Sequence, residues 1–97
     1  MLTYVGLYKW TAQGIKNVKE TTKRAEAAAN LLESLGGHLT TILWTQGEYD
    51  LISIGEFPDE DTAMAFTASL AMQGNITTQT LRAFSATDVN RILAKLP

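Results

Sequence analysis

The chain has no cysteine, one histidine and two prolines among its 97 residues. Without cysteine there is no disulfide framework, no thiolate nucleophile and no zinc site that relies on sulfur. A single histidine excludes a two-histidine metal site within one chain. Charge is sparse as well: eight Lys or Arg against ten Asp or Glu give a formal charge of −2, no electrostatic footprint for nucleic acid or an anionic membrane. No apolar run approaches the ~20 residues of a membrane-spanning helix. The opening Met1-Leu2-Thr3-Tyr4-Val5 lacks the basic region and apolar core of a signal peptide. These absences lead to the expectation of a cytoplasmic protein with no metal, cofactor or nucleic-acid partner.

What is present is ordinary globular composition, 45% hydrophobic and 19% charged, in a length that suits one domain with a modest core. Val5-Gly6-Leu7-Tyr8-Lys9-Trp10 reads as a first strand. Thr11 to Val18 reads as a short helical turn or loop, with Gly14 arguing against helix. From about Thr22, Ala25, Ala28, Ala29, Leu32 and Leu35 recur at helical spacing, and Gly36-Gly37 supplies a left-handed stop. A second strand is expected from His38 to Thr45 and a third from about Asp50 to Glu56. Pro58-Asp59 caps a second helix carrying Ala63, Phe66 and Leu70, which stops near Gly74-Asn75. Met64 and Met72 are placed with Phe66 in the core. Ile76 to Phe84 is a fourth strand, and Ser85-Ala86-Thr87-Asp88 resembles a capping box opening a terminal helix. The order β-α-β-β-α-β predicts a ferredoxin-like α+β fold: a four-stranded antiparallel sheet with helices on one face.

Alternation within the strands sorts residues by face. In the first strand Val5 and Leu7 point one way, and Tyr4, Gly6, Tyr8 and Trp10 the other. In the second, Leu39, Thr41 and Leu43 oppose His38, Ile42 and Trp44. The aromatic face carries too much apolar surface to leave in water. It is therefore expected to pack on a second copy, giving a sheet-packed homo-oligomer; the alternative is that these aromatics border a local cleft.

Several segments resemble the GYD domain family: Thr3-Tyr4-Val5, Trp10-Thr11-x-Gln13-Gly14-Ile15-Lys16, Arg24-Ala25-x-Ala27-Ala28, Leu35-Gly36-Gly37, Gly47-Glu48-Tyr49-Asp50, Pro58-Asp59-Glu60 and Gly74-Asn75-Ile76-x-Thr78-x-Thr80-Leu81-Arg82-Ala83-Phe84. They cover nearly the whole chain in order. The resemblance implies a dimeric α/β-barrel arrangement, within a group that includes cofactor-free monooxygenases, haem enzymes and ligand-sensing modules. It implies no particular reaction.

Candidate functional residues gather around the hairpin between the second and third strands. Tyr49 and Asp50 are positioned to orient a ligand or move a proton; the structural alternative is turn chemistry, with Gly47 at positive φ and Asp50 bonding nearby amides. His38 is the one side chain that titrates near neutrality, a candidate general base or haem ligand at an exposed junction. Arg82 shares a face with Thr78 and Thr80 and suits a carboxylate or phenolate; the alternative is an ion pair to Glu48, Asp50 or Glu56. Tyr8, Trp10 and Trp44 are candidate walls for a planar ligand or oligomer contacts. Lys16, Lys19, Lys23 and Arg24 read as a solvated basic face. No phosphate loop, carboxylate pair or serine-histidine-aspartate arrangement is recognisable.

Three functions follow as expectations. The first is a small-molecule-binding module with a pocket between sheet and helices or between subunits, lined by Tyr8, Trp10, Trp44 and Tyr49, with Arg82 and Asp50 supplying polarity. The second is a cofactor-free oxygenase-like enzyme in which Tyr49, Asp50 or His38 handles the proton. The third is an assembly protein whose oligomer is the function.

Overall fold

The computed structural model describes residues 1–97. Along the chain lie β1 (Leu2–Trp10), α1 (Ala12–Lys16), a 3-10 turn (Val18–Glu20), α2 (Thr21–Ser34), β2 (His38–Trp44), β3 (Leu51–Phe57), α3 (Glu60–Met72), β4 (Ile76–Ala83) and α4 (Ala86–Leu93). The strands form one antiparallel sheet in the order β2-β3-β1-β4. The helical crossovers β1-α2-β2 and β3-α3-β4 interleave, which is the ferredoxin-like α+β arrangement expected from the sequence.

Local chemistry accounts for the helix boundaries. Thr11 accepts a hydrogen bond from the Gly14 amide, so the segment from Ala12 is helical despite its glycine. Gly36, at φ 86°, ends α2 in a left-handed turn. Asp59 caps α3 through the Thr62 amide at 2.7 Å. Ser85 and Asp88 form a reciprocal capping box that opens α4.

The core is small: Leu32, Phe57, Ala63 and Phe66, with Tyr4, Ala28, Leu31, Leu39 and Leu70 packed around them. Tyr4 meets Phe57 edge-on at 5.3 Å, and Phe57 meets Phe66 at 5.6 Å. Because Tyr4 joins this cluster, the face of β1 carrying Tyr4, Gly6, Tyr8 and Trp10 is the face that α2 and α3 cover. The expectation that this aromatic face packs on a second copy is therefore corrected. Both faces are apolar, so alternation could not say which one the helices take.

The opposite, open face holds Val5 and Leu7 of β1, Ile52 and Ile54 of β3, Leu43 of β2 and Leu81 of β4, aligned by the strand registers. A register irregularity between Leu39 and Thr41 places Leu39 in the core while Leu43 faces outward. The single face assigned to Leu39, Thr41 and Leu43 is thereby split. Met64 and Met72, expected in the core, are 70% and 84% exposed. They lie on the outer side of α3, whose inner side presents Ala63 and Phe66. α4 has only marginal contact with the other elements, and its Val89, Ile92 and Leu93 side chains are exposed.

Candidate functional site

Between the sheet and the two long helices lies a pocket of about 70 Å³. Its floor is the covered face of the sheet: Tyr8 and Trp10 from β1, Leu39 and Ile42 from β2, Leu51 and Ser53 from β3, and Ile76 from β4. Thr21, Arg24, Ala25 and Ala28 of α2 form one wall, and Phe66 and Leu70 of α3 the other. Gln73 and Asn75 close it beyond the end of α3. Alanines on α2 leave the room: each turn of the helix that faces the sheet here presents a methyl where a leucine would fill the gap.

Tyr8 is the pocket's central polar group. Its ring lies over Gly6, where a Cβ would come within 2.3 Å of the Tyr8 hydroxyl, so a close approach requires glycine there. The hydroxyl shares a 2.8 Å hydrogen bond with the buried Ser53 hydroxyl. Burial pushes the Tyr8 phenol above its ordinary value, and the bond to Ser53 offsets this only in part.

Two donors in the lining are buried without a partner: the Trp10 indole Nε1 and the Arg24 Nη2. The other terminal nitrogen of Arg24 donates to the Asn17 carbonyl at 2.8 Å. No carboxylate pairs with this guanidinium; the ion pairs of the chain are Lys9–Glu48, Lys23–Glu20, His38–Glu33 and Arg91–Asp88. Arg24 was assigned to a solvated basic face, and that reading is corrected. It is half-buried and lines the pocket. Nothing local in the sequence separates it from Lys16, Lys19 and Lys23.

The other expected site residues are elsewhere. Trp44 borders the pocket without lining it, its indole donating to Thr21 Oγ1 at 3.0 Å. Tyr49 lies toward the open face: its hydroxyl donates to Gln79 at 2.7 Å, and the Lys9 ammonium sits 5.3 Å from its ring centre. Gln79 pairs with Leu7, a residue of the open face, so Tyr49 and the pocket lie on opposite sides of the sheet. Asp50 takes the structural role. Its carboxylate accepts from the Trp10 amide at 2.9 Å, and its own amide donates to the Tyr8 carbonyl at 2.8 Å, which extends the β1–β3 pairing past the strand end. Gly47 adopts φ 115°, as its turn role requires.

Arg82 shares the covered face with Tyr8 but sits opposite Tyr4, toward the other end of the strand. It donates to the carbonyls of Thr3 and Ala83 and lies over the rings of Phe84 and Tyr4, at 4.5 and 5.6 Å. It makes neither the pocket contact nor the ion pair weighed for it. His38 is exposed and hydrogen-bonded to the Glu33 carboxylate. No group of three or more His, Asp or Glu side chains is placed to hold a metal ion.

A family model for the GYD domain matches residues 4–93. The chain belongs to the GYD domain family. The match takes in the whole pocket of this GYD domain, from Tyr8 to Ile76, and stops at Leu93, the last residue of α4. No curated protein and no solved structure matches the chain. No helix of this GYD domain is long and apolar enough to cross a membrane.

Proposed function

We propose that this GYD domain is a small-molecule-binding module whose ligand enters the pocket between the sheet and helices α2 and α3. The observation that carries this reading is the pocket itself: an apolar cavity between secondary-structure layers, with a few polar groups converging on it. At about 70 Å³ it has room for roughly five to seven waters' worth of ligand, given ~10–15 Å³ for each water. That suits a single ring or a short chain. Tyr8 and Trp10 supply flat walls, as an aromatic ligand or hydrocarbon chain requires. A ligand-observed NMR screen of small aromatic compounds tests the reading, with Ala28→Leu as the filled-pocket control. Binding by the native chain that Ala28→Leu removes is the expected result. Binding that survives Ala28→Leu would contradict it.

The geometry gives less support to a cofactor-free oxygenase. Tyr49, Asp50 and His38, the groups available to move a proton, do not meet: one lies toward the open face, one holds the end of β1, and one is on the far edge strand.

A second reading concerns the open face, and a separate observation favours it. Val5, Leu7, Leu43, Ile52, Ile54 and Leu81 form an apolar centre, bounded by Thr3, Glu56, Lys9 and Thr77. An apolar centre inside a polar rim is the anatomy of a protein interface. We infer that a second copy of this chain covers it, sheet against sheet, as the dimeric α/β-barrel resemblance implies. The self-complementary face of a two-fold dimer needs no other partner.

A further inference from the structure

The pocket carries an imbalance of charge and hydrogen bonding that narrows its ligand. Arg24 is the one charged residue in the lining, and no acidic side chain faces it there. One of its terminal nitrogens is spent on the Asn17 carbonyl; the other is buried with no acceptor. The Trp10 indole, also in the lining, is a donor and nothing else, and its nitrogen is likewise buried with no acceptor. Both nitrogens are covered by neighbouring protein atoms, so what the pocket leaves unbalanced is the charge of Arg24. A partly buried cation without a counter-ion is unfavourable, and an anion brought beside it relieves that cost.

The surrounding backbone has the same sign. Thr21 and Arg24 stand in the first turns of α2, the positive end of its dipole, and no acidic residue occupies that first turn. Glu20, just before the helix, makes no side-chain cap and pairs with Lys23 instead. The Tyr8 and Ser53 hydroxyls satisfy each other at the floor. The unbalanced charge of the pocket therefore lies at Arg24.

We infer that the ligand is a small monoanionic carboxylate with an aromatic or short hydrocarbon body. Its carboxylate pairs with the Arg24 guanidinium, and its body lies on Tyr8 among Ala28, Ile42 and Leu70. One negative charge balances the pocket; a second would have no cation. A neutral ligand of the same shape leaves the charge of the guanidinium unbalanced. This inference rests on the pocket reading above and adds the charge of the ligand to it.

The test is a calorimetric titration with benzoate and with its neutral, near-isosteric amide, benzamide. A charge-assisted hydrogen bond is worth about 1.5–3 kcal/mol, so benzoate is expected to bind roughly ten- to a hundredfold tighter than benzamide. Arg24→Gln is expected to bring the benzoate-to-benzamide affinity ratio to about one, since the charge that separates the two probes is gone. Thermal unfolding of the variant checks that it folds; if it does not, the benzoate-to-benzamide ratio in the native chain decides alone. Equal binding of the two probes overturns the carboxylate assignment and leaves the pocket standing. Binding of neither overturns both.

Discussion

At the scale of single residues, the same few side chains hold the pocket in shape and furnish its chemistry. Tyr8 is largely shielded from water, and that desolvation raises its phenol above the ordinary value of 10.0. Because the folded chain prefers the protonated form, this contribution to stability is intact below about pH 10 and is lost as pH rises through the raised value. Ultraviolet titration is expected to show one of the three tyrosines ionising last, and Tyr8→Phe to remove that late step. Asp50 fixes Trp10 from outside the pocket by accepting its amide hydrogen. Asp50→Ala leaves that amide without a partner at the strand end, and a loss of about 1–3 kcal/mol in urea unfolding is expected. Asp50→Asn keeps an acceptor and is expected to lose less. The hairpin motif was conspicuous in the sequence because glycine, acid and aromatic stood together, and the turn chemistry of Gly47 and Asp50 was legible there. Arg24 was hidden among lysines. Only the packing of α2 against the sheet separates a guanidinium that lines a pocket from its solvated neighbours.

At the scale of elements, periodicity and capping residues made nearly every strand and helix legible. Gly36, Asp59 and Ser85 each act within a turn of where they stand in the chain, so their effects could be read locally. The faces of the strands were not legible. Tyr4, Tyr8 and Trp10 alternate with Val5 and Leu7, and both sets are apolar, so the pattern fixed two faces without saying which one the helices cover. The irregularity at Leu39–Thr41 moved a residue across the sheet without any glycine or proline to announce it. Met64 and Met72 show the same limit on a helix, where an apolar side chain can face outward when its neighbours Ala63 and Phe66 fill the core. The best-marked element is α4. Hydrogen bonds from Arg91 and from the Ser85 amide hold the Asp88 carboxylate down at about 2. A carboxyl lowered on folding stabilises the helix at pH values above its unfolded range, near 3.8, and ceases to do so as pH falls through about 2. Carboxyl NMR titration is expected to find Asp88 among the last acids to protonate. Ser85→Ala is expected to cost α4 about 1 kcal/mol, read as faster amide exchange at its first turn.

At the scale of the whole molecule, the chain is thin for its length, measuring 52 × 31 × 18 Å, and only nine residues are buried. One sheet face is covered by helices and encloses the pocket; the other presents an apolar centre to its surroundings. The amphipathic α4 stands apart with Val89, Ile92, Leu93 and Leu96 exposed. A lone copy keeps this much apolar surface in contact with water, at ~25 cal/mol for each Å². Sedimentation of the native chain is expected to give a dimer or larger, and Ile54→Lys, at the centre of the open face, to give the 10.6 kDa monomer with its fold retained. A native chain that sediments as a monomer would contradict that reading. The pocket lies on the opposite face of the sheet, so Ile54→Lys leaves its lining in place.

The location of the binding site is tested most directly by nitrogen–proton correlation NMR during titration with benzoate. The two tryptophan indoles report separately, because Trp10 lines the pocket and Trp44 is already bonded to Thr21 beside it. The expected result is a large shift of the Trp10 indole, with Arg24, Ala28, Ile42 and Ser53 amides moving and the Gly47–Tyr49 hairpin amides nearly still. Shifts gathered at the hairpin, or a Trp10 indole that does not move, would contradict the assignment.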